Sequence, residues 1–178
     1  MKQAISAFAL ALLVAACAQP ARTSQMIYHS NAAQVASVPD AVRDGVVLSA
    51  VNGGKETDPL WTSEVGNAEF RDALLVSLQA AQLHAFDDNG PFTLTANLLE
   101  LEQPLVGFDM TVTCRTNYLV TRKADGTEIF NETIVTPYTA DFSDAFIAIE
   151  RLRLANEGAA RANIEAFINQ FLVVAQDL

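Results

Sequence analysis

Residues 108–118 read Phe-Asp-Met-Thr-Val-Thr-Cys-Arg-Thr-Asn-Tyr, and the other predicted elements can be placed relative to this segment. Apolar side chains at Met110, Val112 and Cys114 alternate with polar ones, which is the pattern of a β-strand with one buried and one open face. The polar phase consists of Asp109, Thr111, Thr113, Arg115 and Asn117. We therefore predict a strand over residues 105–122 whose polar face meets solvent or a partner, as is common in antiparallel sheets.

The sequence after this strand predicts a hairpin. Lys123-Ala124-Asp125-Gly126 is interpreted as the turn, because Asp-Gly favours the backbone angles of tight β-hairpins. It leads into a strand over residues 127–140. Pro137 cannot donate a ladder hydrogen bond, so it predicts that this strand lies at an edge of the sheet or ends there.

Two more strands are predicted upstream. The apolar run of residues 45–51 is typical of a strand that is buried on both faces. Residues 92–102 alternate, but their apolar phase moves from Leu98 to Leu99, as a β-bulge would produce. The segment Asn52-Gly53-Gly54-Lys55 lacks the spacing of a phosphate-binding loop, so we interpret it as a plain turn.

Helical spacing of apolar residues indicates two helices, over residues 67–83 and 143–176. Gly158 lies inside the second, where a kink, a break into two helices or close packing would each fit. The charged pairs Glu150/Arg153 and Glu157/Arg161 are expected on solvent-exposed faces. The apolar stripe of this helix consists of Phe142, Phe146, Ile149, Leu152, Ile164, Phe167, Ile168, Phe171 and Val174.

The order of these elements predicts an α+β fold. A strand, a helix, three strands and a helix give a mostly antiparallel four-stranded sheet with two helices packed on one face. The first strand would be reached from the others by a crossover connection. We place this single domain at residues 45–178.

Composition excludes one class of partner. The chain has 178 residues, with 21 acidic against 11 basic side chains and a formal net charge of −10. Nucleic-acid affinity comes from clustered Lys and Arg, which this sequence lacks, so we expect no nucleic-acid partner. A hydrophobic fraction of 51% is compatible with a folded core and argues against wholesale disorder.

The first 16 residues have the pattern of an export signal. Lys2 is followed by a short apolar run that stops before Cys17, too short for the about 20 residues of a membrane-spanning helix. Val14-Ala15-Ala16-Cys17 resembles the lipobox of bacterial lipoproteins. An ordinary secretory signal, cleaved at a site such as Ala16-Cys17-Ala18, is the alternative.

The lipobox resemblance has consequences for location. It implies cleavage before Cys17, which then carries the lipid as residue one of the mature protein. Three acyl chains hold far more strongly than the marginal single chain. The residue after Cys17 is Ala18 and not the Asp that retains such lipoproteins at the inner membrane, so the resemblance implies the periplasmic face of the outer membrane. Residues 17–44 are predicted to form the lipidated cysteine and a flexible tether.

The second cysteine, Cys114, has no intramolecular partner if Cys17 is lipidated. Its place in the apolar phase of the strand predicts a buried core thiol. A reactive thiol would need a nearby base or a helix N-terminus, and neither His29 nor His84 is placed to supply one. Trp61, the one tryptophan, is expected to pack on the core, with an exposed functional aromatic as the alternative.

No candidate chemistry stands out elsewhere in the sequence. Asp87-Asp88-Asn89 lacks the spacing of a calcium-binding loop and is interpreted as a turn. The chain has no Gly-x-Ser-x-Gly, no His-x-x-x-His and no Cys/His cluster. We therefore expect no catalytic residue, no metal site and no cofactor.

The predicted organisation behind the lipobox resembles that of small periplasmic lipoproteins. These include the lipopolysaccharide-assembly lipoprotein, the YajG-type lipoproteins and the auxiliary lipoproteins of ABC-type lipid transporters. The resemblance implies a non-enzymatic, outer-membrane-anchored accessory or adaptor that binds an envelope protein. Two alternatives are a lipid-binding carrier with a cavity between sheet and helices, and a small hydrolase or acyltransferase.

Overall fold

The computed structural model describes residues 18–59, 62–87 and 89–178. In chain order the elements are α1 (Thr23–Met26), α2 (Ala32–Ala36), β1 (Val46–Asn52), α3 (Asn67–Ala80), β2 (Phe92–Glu102), β3 (Met110–Arg122), β4 (Glu128–Ala140) and α4 (Ala148–Ala175). The four strands form one sheet in the order β1-β2-β3-β4. β1 runs parallel to β2, and the other two pairs are antiparallel. The predicted α+β fold with a mostly antiparallel four-stranded sheet is confirmed.

The core lies between the sheet and the two long helices. Along β3 the side chains of Met110, Val112, Cys114, Thr116, Tyr118 and Val120 are buried, and they alternate with more exposed residues. α4 lies against β3 and β4, whereas α3 lies against β1. The two-residue period of β3 therefore produces a covered face and an open face, as expected from the sequence.

The hairpin and the edge position of β4 are also confirmed. Gly126 adopts a φ of 73°, which an L side chain resists, and its N–H donates to the carbonyl oxygen of Arg122 over 2.9 Å. β4 is the last strand of the sheet, and Pro137 lies opposite Thr113 of β3. Pro137 therefore occupies an edge strand, where a missing donor is tolerated.

The bulge predicted in β2 is present. Its register against β3 shifts between Leu98 and Glu100, so that Leu98 pairs with Thr116 and Glu100 with Arg115. Leu99 is the extra residue, and 55% of its surface is exposed. The bulge returns the following apolar residue of β2 to the covered face of the sheet.

Two predicted boundaries and the predicted burial of β1 are wrong. β3 begins at Met110 and not at residue 105, and α4 begins at Ala148 and not at residue 143. Phe108, Phe142 and Phe146 consequently lie in loops with substantial exposure instead of in the core. β1 is buried only over Val46–Leu48, because it is an edge strand whose register shifts after Leu48.

The predicted flexible tether is wrong for its described part, residues 18–44, which we call the N-terminal arm. Ala21, Met26 and Val42 are fully or almost fully buried, and α1 packs against both α3 and α4. The backbone N–H of Tyr28 donates to Ser77 Oγ of α3 over 2.9 Å. The arm escaped detection because its buried apolar residues are few and widely spaced, so they show no period.

α4 runs without interruption over 28 residues, so Gly158 marks neither a kink nor a break. Close packing, the third alternative, is what the structure shows. A Cβ atom at Gly158 would lie 2.3 Å from the Tyr138 ring of β4. The missing side chain lets the helix approach the edge strand at this point.

We predict that Gly158→Ala destabilises the protein by about 1–3 kcal/mol through overpacking, measured as the free energy of unfolding in denaturant. The Tyr138 ring causes this clash, so the effect depends on it. In a Tyr138→Ala background the same substitution should become neutral or stabilising, because Ala exceeds Gly in helix propensity by about 1 kcal/mol. An equal loss of stability in both backgrounds would contradict the packing argument.

Candidate interaction surfaces

The sequence-predicted site residues are dispersed. Cys17 and Trp61 lie outside the described residues, as do the signal segment and lipobox. His29 is exposed in the N-terminal arm, and His84 Nδ1 lies 3.2 Å from the carbonyl oxygen of Val46. Neither histidine contacts Cys114, which is fully buried.

Cys114 is a core thiol and not a nucleophile. Its Sγ lies 3.6 Å from Thr116 Oγ1, and burial raises the pKa of the thiol to about 11. At neutral pH it is therefore protonated and shielded from solvent, whereas reactive cysteines have a lowered pKa and some exposure.

A polar cluster beside this thiol joins α4 to the sheet. Asn163 is fully buried on α4, and its Nδ2 donates to the carbonyl oxygens of Cys114 (3.2 Å) and Ile134 (3.0 Å). Tyr118 donates its hydroxyl hydrogen to Asn163 Oδ1 over 2.9 Å. All the groups are buried with partners, so the cluster fixes the position of α4 on β3 and β4.

Aromatic rings fill the space between α4 and the sheet. Phe167 stacks on Tyr118 with ring centroids 4.2 Å apart, and its edge contacts Phe130 at 5.6 Å. Phe171 stacks on Phe167 at 5.9 Å. A lipid carrier would need an apolar cavity here, and these rings occupy that position themselves.

A shallow groove of about 320 Å³ lies between α4, the last residues of β4 and the N-terminal arm. Tyr138, Glu157 and Arg161 are among its lining residues, so charged and polar groups contribute much of its wall. Within residues 18–59, 62–87 and 89–178, no group of three His, Cys, Asp or Glu side chains is arranged to hold a metal ion.

The uncovered face of the sheet is the first candidate interaction surface, which we call the open face. Polar side chains pair across the strands of this face. Thr111 Oγ1 lies 2.9 Å from Thr139 Oγ1, and Asn117 Nδ2 donates to Asn131 Oδ1 over 3.1 Å. Val135 is an apolar residue of this face and is 44% exposed. In the described part of the chain no helix covers this face, and no strand pairs with the outer edge of β4. An edge of this kind can accept another strand.

The opposite edge of the sheet is protected. Arg71 of α3 donates from Nη2 to the carbonyl oxygen of Leu48 over 3.0 Å. The N–H of Ala85 donates to the carbonyl oxygen of Val46 over 2.9 Å, which adds a further backbone pairing beside β1. The two edges therefore differ in how far their backbone is covered. The outer edge of β4, a strand of 13 residues, is the one that a partner strand could pair with.

The second candidate surface is an exposed apolar cluster at one end of the domain, which we call the apolar tip. The sequence does not reveal this cluster, because its residues fall within a predicted strand and the apolar stripe of a predicted helix. Its members lie in the β2–β3 and β4–α4 loops: Leu105 (99% exposed), Val106 (86%), Phe108 (81%), Phe142 (42%), Phe146 (82%) and Ile147 (49%).

Direct contacts hold the two loops of the apolar tip together. The Phe108 and Phe142 rings meet edge to face at 6.1 Å, and the Phe142 and Phe146 rings do so at 5.6 Å. The N–H of Phe142 donates to Asp109 Oδ1 over 2.9 Å. The exposed aromatic rings are therefore packed on one another across the two loops.

Arg151 of α4 supports the tip from below. Its side chain is buried, and it donates to three backbone carbonyl oxygens: Ala145 (2.6 Å), Phe146 (3.2 Å) and Gly107 (3.3 Å). The guanidinium carbon also lies 5.0 Å from the centroid of the Phe142 ring, within cation–π range. One buried cation thus connects both loops.

The N-terminal arm is held on α4 by a buried carboxylate. Glu157, only 2% exposed, accepts hydrogen bonds from the backbone N–H (2.8 Å), Nε (2.9 Å) and Nη2 (3.0 Å) of Arg22. Its hydrogen bond with the Arg22 guanidinium raises the pKa of that group above its ordinary value. Glu157 and Arg161 therefore do not form the exposed pair expected from their spacing, since Arg161 Nη1 donates to the carbonyl oxygen of Gln25.

The architecture defines a class: an α+β domain in which two long helices cover one face of a mixed four-stranded sheet. Solved bacterial structures share it. Protein XCC0632 of Xanthomonas campestris, of family DUF330, has a TM-score of 0.63 and 12% identity over 90% of this chain and 98% of that chain. A candidate lipoprotein of Caulobacter crescentus gives 0.51 and 13%, over 80% and 94% of the two chains.

A third structure, hypothetical protein CT253 of Chlamydia trachomatis, has a TM-score of 0.54 and 12% identity over 75% of this chain and 99% of that chain. No protein-family model matches the sequence. No curated protein matches it either. At these identities the likeness to solved structures concerns the fold alone.

We predict that the Cys114 thiol in the folded protein resists alkylation at neutral pH and reacts fully once the protein is unfolded, as measured by mass spectrometry. Its pKa rises from 9.0 to about 11 on folding, so the folded state holds the proton more tightly. The contribution to stability is complete below pH 9.0 and is lost as the pH rises towards about 11.

The control for this prediction is Cys114→Ala. The difference in unfolding free energy between the wild type and this variant should be constant below pH 9 and change above it. Rapid alkylation of the folded wild type would show that the thiol is accessible, contrary to its burial.

Proposed function

We propose that the protein is a lipid-anchored lipoprotein on the periplasmic face of the outer membrane, where it acts as a non-enzymatic accessory or adaptor of an envelope assembly or transport complex. The lipobox Val14–Cys17 and the Ala18 that follows it support the anchor and its location. The fold is shared with the Caulobacter crescentus candidate lipoprotein. Among the described helices, none combines the length and the apolar character that crossing a bilayer requires.

The single observation that carries the adaptor role is the unequal covering of the sheet. One face is sealed by α3 and α4, while the open face and the edge of β4 have no neighbour in the described chain. The β1 edge is protected by Arg71, so the exposure of β4 is specific to one side. A partner strand could pair with the β4 backbone and place its side chains against the open face.

The non-enzymatic part of the proposal is supported by the state of the nucleophile candidate. Cys114 is buried and its pKa is raised. Neither described histidine contacts it. A hydrolase or acyltransferase that used this thiol would need a base and access for substrate, and the described surroundings of Cys114 supply neither.

We predict that Cys17→Ala abolishes metabolic labelling with a palmitate analogue and moves the protein from the membrane fraction to the soluble periplasmic fraction. The cause is the loss of the thiol that carries the acyl chains. Cys114→Ala is the matched control, since it removes the other cysteine and should leave labelling and fractionation unchanged. Membrane retention of the Cys17→Ala protein without label would contradict the lipid anchor.

We predict that the double substitution Thr133→Lys/Val135→Lys on β4 reduces co-purification of the envelope partner by about tenfold or more, because a charge buried at an interface costs above about 1.4 kcal/mol. Both positions are exposed, so the variant should fold with nearly unchanged stability. Quantitative mass spectrometry after crosslinking in cells and purification of the lipidated protein provides the measurement.

The matched control is Gln170→Lys, which adds positive charge at an exposed position of α4 on the other side of the molecule. It should co-purify the same partner as the wild type. If the β4 variant and the control retain the partner equally, the open face and β4 edge do not form the binding surface.

A further inference from the structure

The apolar tip is unusual because its apolar side chains are exposed to solvent and yet are held in place by contacts between two loops. Single exposed apolar residues are common on protein surfaces, but a contiguous exposed group indicates a site that contacts another protein or a membrane. Here Leu105 and Val106 are almost fully exposed, while Phe108 and Phe142 are in contact across two loops. The buried guanidinium of Arg151 donates hydrogen bonds to both loops and holds them in this arrangement.

The course of the N-terminal arm shows where the chain enters the domain. The first part of the arm contacts α4 at successive positions: Gln19 with Arg153 (3.3 Å), Arg22 with Glu157 (2.9 Å) and Gln25 with Arg161 (2.9 Å). Each step of three residues along the arm matches a step of four along α4. The arm therefore runs beside the helix in the same direction, and its earlier residues lie nearer the N-terminal end of α4.

The apolar tip lies at that same end of α4. Arg153, the partner of Gln19, is six residues after Ile147 of the tip, which corresponds to about 9 Å along a helix. Cys17 precedes Gln19 by two residues, a reach of at most about 7 Å of extended chain. We therefore expect an acyl group on Cys17 to emerge at the same end of α4 as the apolar tip.

We propose that the apolar tip inserts into the same lipid surface that holds the acyl chains of Cys17. This inference rests on the lipid anchor put forward above. The anchor alone would leave the domain free to rotate on the membrane, whereas a second apolar contact fixes its orientation. Loop side chains such as Leu105, Val106 and Phe146 would then lie at the headgroup–acyl boundary, as in other interfacial apolar elements.

The charges around the tip indicate which lipid it suits. The exposed charged side chains in and beside its loops are acidic: Glu102, Asp109, Asp141, Asp144 and Glu150. The nearby Arg151 is buried against backbone carbonyls, so it offers little positive charge to a headgroup. An anionic lipid surface repels these acidic side chains. The tip is therefore suited to a surface of zwitterionic phospholipids.

The test uses the full lipidated protein reconstituted into phosphatidylcholine vesicles, with single tryptophan probes in a Trp61→Phe background. Probes are introduced by Leu105→Trp, Phe108→Trp and Phe146→Trp in the tip. The control is Val173→Trp, because Val173 is apolar and 71% exposed but lies near the other end of α4, about 40 Å from the tip. Phospholipids with brominated acyl chains quench tryptophan that reaches the bilayer interior.

The expected result is quenching of the tip probes by brominated lipid at least about twofold stronger than that of the probe at position 173, as shallow insertion of about 5–10 Å requires. Adding phosphatidylglycerol to the vesicles should weaken the quenching at the tip. Thermal unfolding identifies any variant that does not fold, and three separate probes keep the test decisive if one is lost.

Failure of this inference is distinguishable from failure of the anchor. Protein that does not float with vesicles lacks the anchor, which contradicts the proposed function. Protein that floats, but whose tip probes are quenched no more than the control probe, overturns the insertion of the tip. Tip probes that are shielded from acrylamide yet insensitive to brominated lipid also overturn it, since they would show a contact with protein or with a second copy.

Discussion

A buried carboxylate in the middle of α4 determines how the chain enters this domain. Glu157 is almost completely removed from solvent, and a carboxylate in that position is costly unless it is paired and hydrogen-bonded. Arg22 satisfies it with one backbone and two side-chain donors, and Arg153 Nε lies 3.7 Å away. If the N-terminal arm left α4, Glu157 would lose the three donors that Arg22 supplies.

That constraint links the two candidate surfaces. Because the arm runs along α4, its first described residues lie towards the end of the domain that carries the apolar tip. The hydrogen bonds of Asn163 to the Cys114 and Ile134 carbonyl oxygens in turn fix α4 on β3 and β4. The orientation of the open face relative to the apolar tip is therefore fixed as well. A lipid-anchored domain built in this way would hold its β4 edge at a constant angle to the membrane.

The sequence predicted the sheet because its signals are local and periodic. Three short patterns predicted its parts: the alternation around Cys114 predicted a strand, Asp125-Gly126 a turn, and the phase change at Leu98 a bulge. Each of these features is present in the structure. The edge position of Pro137 follows from the same backbone chemistry. Element type was therefore predictable wherever the pattern spans several turns or pleats.

The interaction surfaces were not predictable in the same way, because their meaning depends on contacts between distant segments. Phe142 and Phe146 keep helical spacing with the stripe of α4, yet the helix begins only at Ala148, where Arg151 takes the loop carbonyl oxygens. Arg22 and Glu157 are 135 residues apart, so no local pattern announces their pairing. The one available sign of the tip was Leu105-Val106, two adjacent apolar residues that break the alternation of the following strand.

The most direct test of this account is the hydrogen exchange of the arm in the lipidated protein on vesicles. The amides of Arg22 and Tyr28 donate to Glu157 and Ser77, so the docked arm predicts protection of both that is lost only together with that of α4. Exchange of the arm at the rate of an unstructured chain, while α4 stays protected, would contradict a fixed entry point and with it a fixed orientation at the membrane.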